Sequence, residues 1–444
     1  KEQEILSNYV GWGGLADVFD PNKISWAEEY KNLKGLLSEE EFAAARASTL
    51  NAHYTSPTII RSIYDAIEKM GFETGNILEP AMGVGNFFGL LPEGMRDSKL
   101  YGVELDSISG RIAQKLYPKA DITVAGFETT SRRDFYDLAV GNVPFGNYKV
   151  SDKPYNKLGF SIHNYFFAKA LDQVRPGGVV AFLTSRYTMD SKNTDARKYL
   201  AQRADFLGAI RLPNDAFKKN AGAEVVSDII FLQKRDHPIN INQDWVHLNT
   251  TEDGFTMNSY FVDHPEMVLG ELAMESTPYG KDDLTVRPIP EADLAEQLKE
   301  AITHISGEYH PVELSNAEHG KQEDVIPADP NVKNFSYTVV DGEVYFRENS
   351  VMRHLELNDK AKERVTGMVE LRQIVNELIA YQLEDYPDEM IAMKQAELNE
   401  AYDTFTAKHG LINARPNGQA FADDSSYYLL CSLENVDEDG NLKS

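Results

Sequence analysis

Two short loops hold the residues of this 444-residue sequence best suited to chemistry. The first, EPAMGVGNFF at 79–88, follows the apolar run NILEP. Gly83 and Gly85 let the backbone approach a ligand closely at a strand-to-helix turn. A dinucleotide fingerprint wants G-x-G-x-x-G, and Phe88 stands at the last glycine position. Roughly twenty residues on, Glu104 closes the run KLYGVEL, where an acidic side chain can accept hydrogen bonds from a ribose. Glu79 stands just before the glycines. A carboxylate there repels a pyrophosphate and attracts the cationic amino-acid tail of S-adenosyl-L-methionine. The residues therefore favour that cofactor over a nicotinamide; the glycines alone would also fit a tightly packed turn.

The second loop, GNVPFG at 141–146, ends another apolar run, FYDLAVGN. Its chemistry is the holding of an amine. An exocyclic amine on a nucleobase is a poor nucleophile because its lone pair is delocalised into the ring. Two acceptors, one on each N–H, draw the nitrogen toward tetrahedral geometry. Asn142 supplies a side-chain oxygen, and the carbonyl of Val143 or Pro144 supplies the second acceptor. Phe145 offers a ring for stacking on a base. Methyl transfer to such an amine needs positioning more than acid–base catalysis. An isolated turn with a stacked phenylalanine would show the same four residues.

These loops need a scaffold that brings strand ends together. From 76 to 235 the pattern alternates strand and helix: strands at 76–80, 99–105, 120–126, 135–142, 177–185, 205–213 and 226–234, helices at 86–91, 107–116, 162–174 and 194–203. This alternation predicts an α/β fold with a doubly wound, mostly parallel seven-stranded sheet, whose ligands sit at the carboxyl ends of the strands. Residues 1–52 read as an N-terminal helical segment, with a capping box from Ser38 to Glu41. Residues 53–235 form the cofactor domain, and 236–333 an acidic extension ending in a polar linker from 307. Residues 334–444 hold a hairpin turning at Asp341-Gly342, then helices near 358–384 and 387–408, a mixed and mainly helical extension.

The chain begins with Lys1 and is expected to be cut from something longer. Cys431 is its single cysteine, which excludes an internal disulfide framework and fits a cytoplasmic setting without a cysteine-based metal site. No metal and no membrane partner are expected. The net charge of −26 argues against a nucleic-acid partner only until its distribution is read. Residues 1–235 carry 29 basic and 29 acidic side chains, so all the excess acid follows Arg235. A neutral first half can hold a local basic patch for phosphates. Arg132, Arg133, Lys149, Lys153 and Lys157 flank the amine-holding loop, and Lys218 and Lys219 follow Phe217.

The pattern resembles the N6-adenine DNA methyltransferases whose target-recognition region follows the catalytic domain. The resemblance covers about residues 50–235 and rests on HYTSP at 53–57, EPAMGVGNF, Glu104, GNVPF and LPNDAFKKNAGAEVVSDIIFLQK at 212–234. It implies Asn142, Pro144 and Phe145 as catalytic. It implies Thr55, Pro57, Glu79, Pro80, Ala81, Gly83, Gly85, Asn86, Phe87, Glu104, Leu105 and Asn142 around the cofactor, with Val143, Phe145 and Phe217 at a flipped-out base. Val143 stands where the family has its first proline. The family's adenine-ring aspartate after the third strand is absent, and Phe127 or Glu128 is carried over in its place.

A second likeness, in NYVGWGGL at 8–15, IHNYFFAKALDQVRPGG at 162–178 and LNEAYDTFTAKHG at 398–410, covers nearly the whole chain. These segments resemble the large methyltransferase–helicase proteins of phages and conjugative elements, of which the DarB-like antirestriction proteins are one example. That resemblance implies a methyltransferase module followed by a helicase domain in the full-length chain. The segment 236–290 is too short and acidic for a standard recognition domain, so adenine-N6 methylation of DNA with weak or very short sequence specificity is expected. Trp12 fits a core position or a roof over the cofactor pocket. Two other readings stay open. One is an N4-cytosine, RNA or protein-glutamine methyltransferase, which needs the same amine geometry. The other is a catalytically degenerate fold that binds DNA and docks a helicase.

Overall fold

The computed structural model describes residues 6, 9, 11–13, 15–49, 55–146, 148–217, 225–276, 282–311, 325–384 and 386–434. His53, Tyr54, Lys218 and Lys219, named above, lie outside them. The chain divides into two compact units, Lys1–Pro311 and Val312–Ser444.

The first unit is built on a seven-stranded sheet of β1 (Asn76–Glu79), β2 (Lys99–Glu104), β3 (Asp121–Val124), β4 (Tyr136–Asn142), β5 (Val174–Ser185), β6 (Ala204–Arg211) and β7 (Ser227–Lys234). Their order is β3-β2-β1-β4-β5-β7-β6. All neighbours run parallel except β7, which is antiparallel to both β5 and β6. This is the doubly wound, mostly parallel α/β sheet that the sequence predicts. The central strands are largely apolar because helices cover both faces; Leu138, Ala139, Val140, Phe182, Leu183, Ile230 and Phe231 are all buried. Reversal of strand order beside β1 opens a crevice at the carboxyl edge between β1 and β4.

Local signals place the helices. Helices α1 (Ala27–Leu36) and α2 (Glu39–Ser48) form the N-terminal layer. Helix α2 opens on the expected capping box, with Ser38 Oγ accepting from Glu41 N and Glu41 Oε2 accepting from Ser38 N. Helix α3 (Pro57–Lys69) starts at Ser56, whose side chain accepts from Ile59 N, with Pro57 at its first position. Helices α4 (Ser107–Leu116), α5 (Ile162–Gln173) and α6 (Asp195–Arg203) are crossovers of the sheet. Arg111 on α4 pairs with Glu41 on α2 at 2.7 Å and ties the N-terminal layer to the sheet.

Residues 236–311 pack onto the first unit through β8 (Leu248–Thr250), β9 (Thr256–Asn258), β10 (Glu271–Ser276), β11 (Asp282–Arg287) and α7 (Leu294–Thr303). Lys69 donates to the carbonyls of Ile302, Thr303 and Ile305 at the end of α7, where helix carbonyls lack partners. The main fastening is a buried ionic cluster. Arg211, fully buried at the end of β6, donates to both oxygens of Asp228 at 2.8 Å and both oxygens of Asp190 at 2.8 and 2.9 Å. Asp190 also accepts from the backbone N of Asn258 in the extension. The sequence reading did not anticipate this cluster.

The second unit is a four-stranded antiparallel sheet of β12 (Val325–Pro327), β13 (Ser336–Val340), β14 (Glu343–Glu348) and β15 (Val351–His354), in the order β12-β15-β14-β13. It packs with α8 (Asp359–Leu383) around Tyr337, Val344, Met368, Leu371 and Phe421; Phe405, on α9 (Asp388–His409), joins the same core. The hairpin turns where expected, with φ of 51° at Asp341 and 79° at Gly342, the pair of positive values a type I′ turn requires. Strand β12 is a correction to the reading of 307–333 as linker throughout: three residues gain strand pairing from β15, which no local pattern reveals.

Arg211→Met is expected to lower the unfolding free energy by about 3–5 kcal/mol in urea titration, because two buried carboxylates lose their counter-charge. An unchanged midpoint would contradict the fastening role of this cluster.

Candidate functional site

The two loops singled out by sequence meet at the carboxyl edge. Strand β1 delivers Glu79 into the edge, in register with Gly102 of β2. Glu79 is 2% exposed, and its Oε2 has no hydrogen-bond partner among the described residues. Burial pushes its carboxyl well above the usual carboxylate range, and the nearby charge of Glu104 pushes the same way. The Glu79 side chain lies toward β4: a Cβ built on Gly141 would stand 3.5 Å from Glu79 Cγ. The cofactor loop and the amine-holding loop are therefore neighbours.

After Glu79 the chain passes through buried Pro80 and half-buried Ala81 to the glycines. Gly83 and Gly85 have φ of 56° and 86°, values that favour glycine. A Cβ on Gly85 would sit 2.5 Å from Tyr117 Cε2, whereas one on Gly83 meets nothing within 4 Å. The loop is thus packed on one side and open on the other. Asn86 is half-buried at the start of the following helical turn, and Phe87 is buried, its carbonyl accepting from Tyr64 Oη at 2.9 Å.

Glu104 closes β2 and accepts from Gly83 N at 2.7 Å and from Asp106 N at 2.8 Å. Desolvation raises its pKa to about 7, against the opposing effect of these backbone donors. Leu105, next in sequence, is 69% exposed and presents an apolar side chain beside the carboxylate. Two residues here were not singled out from the sequence. Asp106 caps α4 by accepting from Ser109 N and Oγ, while its buried Oδ1 has no hydrogen-bond partner. Tyr9 comes from the N-terminal segment to the same turn; burial first, and the charge of Asp106 next, raise its hydroxyl pKa. The signal for Asp106 was the helix-capping spacing Asp106…Ser109; nothing local announced Tyr9.

Strand β4 delivers the amine-holding loop. Asn142 is half-buried, and its Nδ2 donates to Oγ1 of buried Thr55 at 3.1 Å. Val143 is 1% exposed and its backbone N donates to Leu183 O at 3.0 Å, so pairing with β5 continues past the strand end. A proline at this position could not donate that bond. Pro144 and Phe145 follow half-buried.

Other expected site residues are placed elsewhere or differently. Pro57 is exposed at the first turn of α3. Phe127 is buried in an aromatic layer against Phe166, with ring centroids 4.9 Å apart, and Glu128 is exposed. Phe217 is 1% exposed and offers no open ring face. Trp12 packs into the N-terminal core with Val18, Phe19 and Ala45. Arg132 and Arg133 precede β4, so the strand's seven residues, roughly 20 Å, separate them from the amine-holding loop. Arg132 pairs there with Asp121 and stacks on Tyr101. Their closeness to the loop in sequence does not carry over to space.

Because desolvation raises the Glu104 carboxyl from an ordinary value near 4.5 to about 7, the folded chain holds the proton more tightly. Stability of the ligand-free protein should then fall as pH rises from about 4.5 to 7, by up to about 3 kcal/mol from this group. Chemical denaturation across pH 5–8 should show this fall, and Glu104→Gln should flatten it. A fall of equal size in the variant would assign it to other groups.

No family model matches the sequence. The chain is 31% identical over 271 residues to the defense against restriction protein B of Escherichia phage P1, a match covering 59% of this chain and 10% of that protein. It is 36% identical over 93 residues to the type II methyltransferase M.CvrRI of Paramecium bursaria Chlorella virus XZ-6E, covering 21% of this chain and 24% of that one. The chain thus spans 10% and 24% of the lengths of these relatives. Among solved structures, the M protein of the type I restriction enzyme EcoKI overlaps 53% of this chain and 55% of its own at 16% identity, with a TM-score of 0.33. The first unit is a Rossmann-like methyltransferase fold, in a chain similar in sequence to a phage protein of defence against restriction and to a viral type II methyltransferase.

Proposed function

We propose that this chain transfers a methyl group from S-adenosylmethionine to the N6 amine of an adenine flipped out of DNA. The observation that carries the reading is the placement of Asn142, held by Thr55 at the end of β4 and adjacent to the buried carboxylate of Glu79. The similarity to a protein of defence against restriction and to a type II methyltransferase supports DNA as the substrate.

The cleft fits the cofactor. An unpartnered carboxylate oxygen on Glu79 suits an ammonium donor, and Glu104, beside the open face of Gly83, suits ribose hydroxyls. Leu105 gives an apolar surface for an adenine ring. When bound, the cofactor supplies an electrophilic methyl group on a sulfonium. The chain's own residues ready the amine. Asn142 donates through Nδ2 to Thr55, which fixes the amide so that Oδ1 lies on the opposite branch as an acceptor for one N–H. A backbone carbonyl of Val143 or Pro144 accepts the other, and the Phe145 ring stacks on the base. The pairing of Val143 N with Leu183 O stiffens the loop in place of a proline ring, which favours a catalytic over a degenerate reading.

Incubation with labelled S-adenosylmethionine and unmethylated DNA should yield N6-methyladenine, and Asn142→Ala should lose about a hundredfold or more in kcat. N4-methylcytosine, or equal activity in the variant, would overturn the reading. Thr55→Val should lower kcat by about fivefold to tenfold through loss of one hydrogen bond. Its KM for S-adenosylmethionine should stay near that of the parent, and Thr55→Ser should recover kcat. A change confined to that KM would make Thr55 a cofactor contact alone.

A further inference from the structure

The amine-holding loop runs into a segment with properties unlike the rest of the chain. Residues 148–161 lie against α5 and border an open cavity of about 270 Å³. Tyr155, Phe160 and Tyr165 give it aromatic walls, and Lys149, Ser151 and Asn156 line it with polar groups. The cavity is prebuilt. Asp152, buried beneath it, accepts from Lys169 Nζ and from Tyr165 Oη, each at 2.7 Å. Asn156 Oδ1 accepts from Asp152 N at 2.9 Å, and Tyr155 Oη donates to Asp172 at 2.7 Å. The segment closes where Ile162 N donates to Tyr148 O, at the start of α5. Tyr165 is buried and meets the Tyr155 ring edge to face at 5.5 Å, and Phe160 packs edge to face on Tyr199 at the same distance, so the half-buried rings of Tyr155 and Phe160 supply the exposed aromatic surface.

The charge of the segment is equally distinct. Within a chain of net charge −26, residues 148–161 carry Lys149, Lys153 and Lys157 against one acid, Asp152, whose charge Lys169 already balances. All three lysines are exposed, and none forms an ion pair with a described carboxylate. Aromatic faces with unpaired ammonium groups around a preformed cavity suit one ligand chemistry: a nucleobase stacked on the rings, with its backbone phosphates on the lysines. A neutral apolar ligand would leave the three charges without a role. An acidic peptide would use the charges but has no planar group for the rings.

We propose that this cavity is a second nucleotide subsite, which takes an unstacked nucleotide of the bound strand away from the flipped adenine and anchors that strand against α5. The inference rests on the reading that the chain acts on DNA. It adds a contact outside the catalytic pocket, on the face of α5.

Binding of a fluorescein-labelled mixed-sequence DNA duplex, followed by anisotropy over a range of salt, tests it. Two variants separate its parts. Ser151→Trp fills the cavity, and the combined Lys149→Ala, Lys153→Ala and Lys157→Ala removes the charges; thermal melts confirm that each folds. The lysine variant should bind at least tenfold more weakly, with the slope of log affinity against log salt reduced by about 2. Ser151→Trp should weaken binding at least fivefold with the slope retained. In the parent, 2-aminopurine placed in the duplex should be quenched on binding, and Ser151→Trp should abolish that quenching. Parent-like affinity and quenching in Ser151→Trp would overturn the subsite, as would an unchanged salt slope in the lysine variant or a parent that binds no DNA. A parent that binds DNA with these signatures but transfers no methyl group would sink the proposed activity and leave the subsite standing.

Discussion

Two carboxylates set the terms for the first unit. Glu79 and Glu104 end adjacent parallel strands, Glu79 buried and Glu104 half-buried; desolvation raises the cost of ionising both, and the charge of Glu104 adds to that cost at Glu79. Burying charge without a counter-charge opposes folding. Among the described residues, the hydrogen-bond donors to this pair are backbone N–H groups, and they reach Glu104. The arrangement makes sense as a cleft whose missing counter-charge arrives with a ligand. Its shape follows from the same strands: the turn has open space at Gly83, whose N donates to Glu104, while Tyr117 packs against Gly85 and Tyr64 bonds to the Phe87 carbonyl.

The remaining parts of the unit support that edge in different ways. Beside the cleft, β4 brings Asn142 against Thr55, and pairing of Val143 with Leu183 extends the sheet into the loop at 141–146. Farther along the edge, Arg211 joins the ends of β5, β6 and β7 to residues 244–267 by neutralising Asp190 and Asp228. The N-terminal layer reaches the cleft from the other direction, through Tyr9 and the Arg111–Glu41 pair. Acidic excess lies outside this edge, which leaves the lysines of 148–161 as a local exception.

Much of this was readable in the sequence because the signals are local. Apolar runs bounded by glycine and proline gave the strands to within three residues at either end, since a strand covered on both faces must be continuously apolar. Asp341-Gly342 announced its turn because few other pairs tolerate two positive φ values. The misses are non-local. Asp228 was visible as a charge inside an apolar strand, yet its partner Arg211 lies seventeen residues away across a register that sequence alone does not show. Strand β12 has three residues and needs β15 to exist. The distance of Arg132 and Arg133 from the amine-holding loop follows from strand direction, which adjacency in sequence conceals. Phe217 was chosen as a base-stacking ring, and its burial shows a core position in this ligand-free fold.

The central claim is that the carboxylate edge awaits a cationic cofactor. Calorimetric titration of S-adenosylmethionine into the ligand-free protein at pH 7, repeated in buffers of different ionisation enthalpy, tests it most directly. Glu104, with a pKa of about 7, should lose its residual proton as the cation arrives, so binding should release protons and tighten as pH rises toward 8. No binding at millimolar cofactor, or binding without proton release and with the same affinity at pH 6 and 8, would contradict the account.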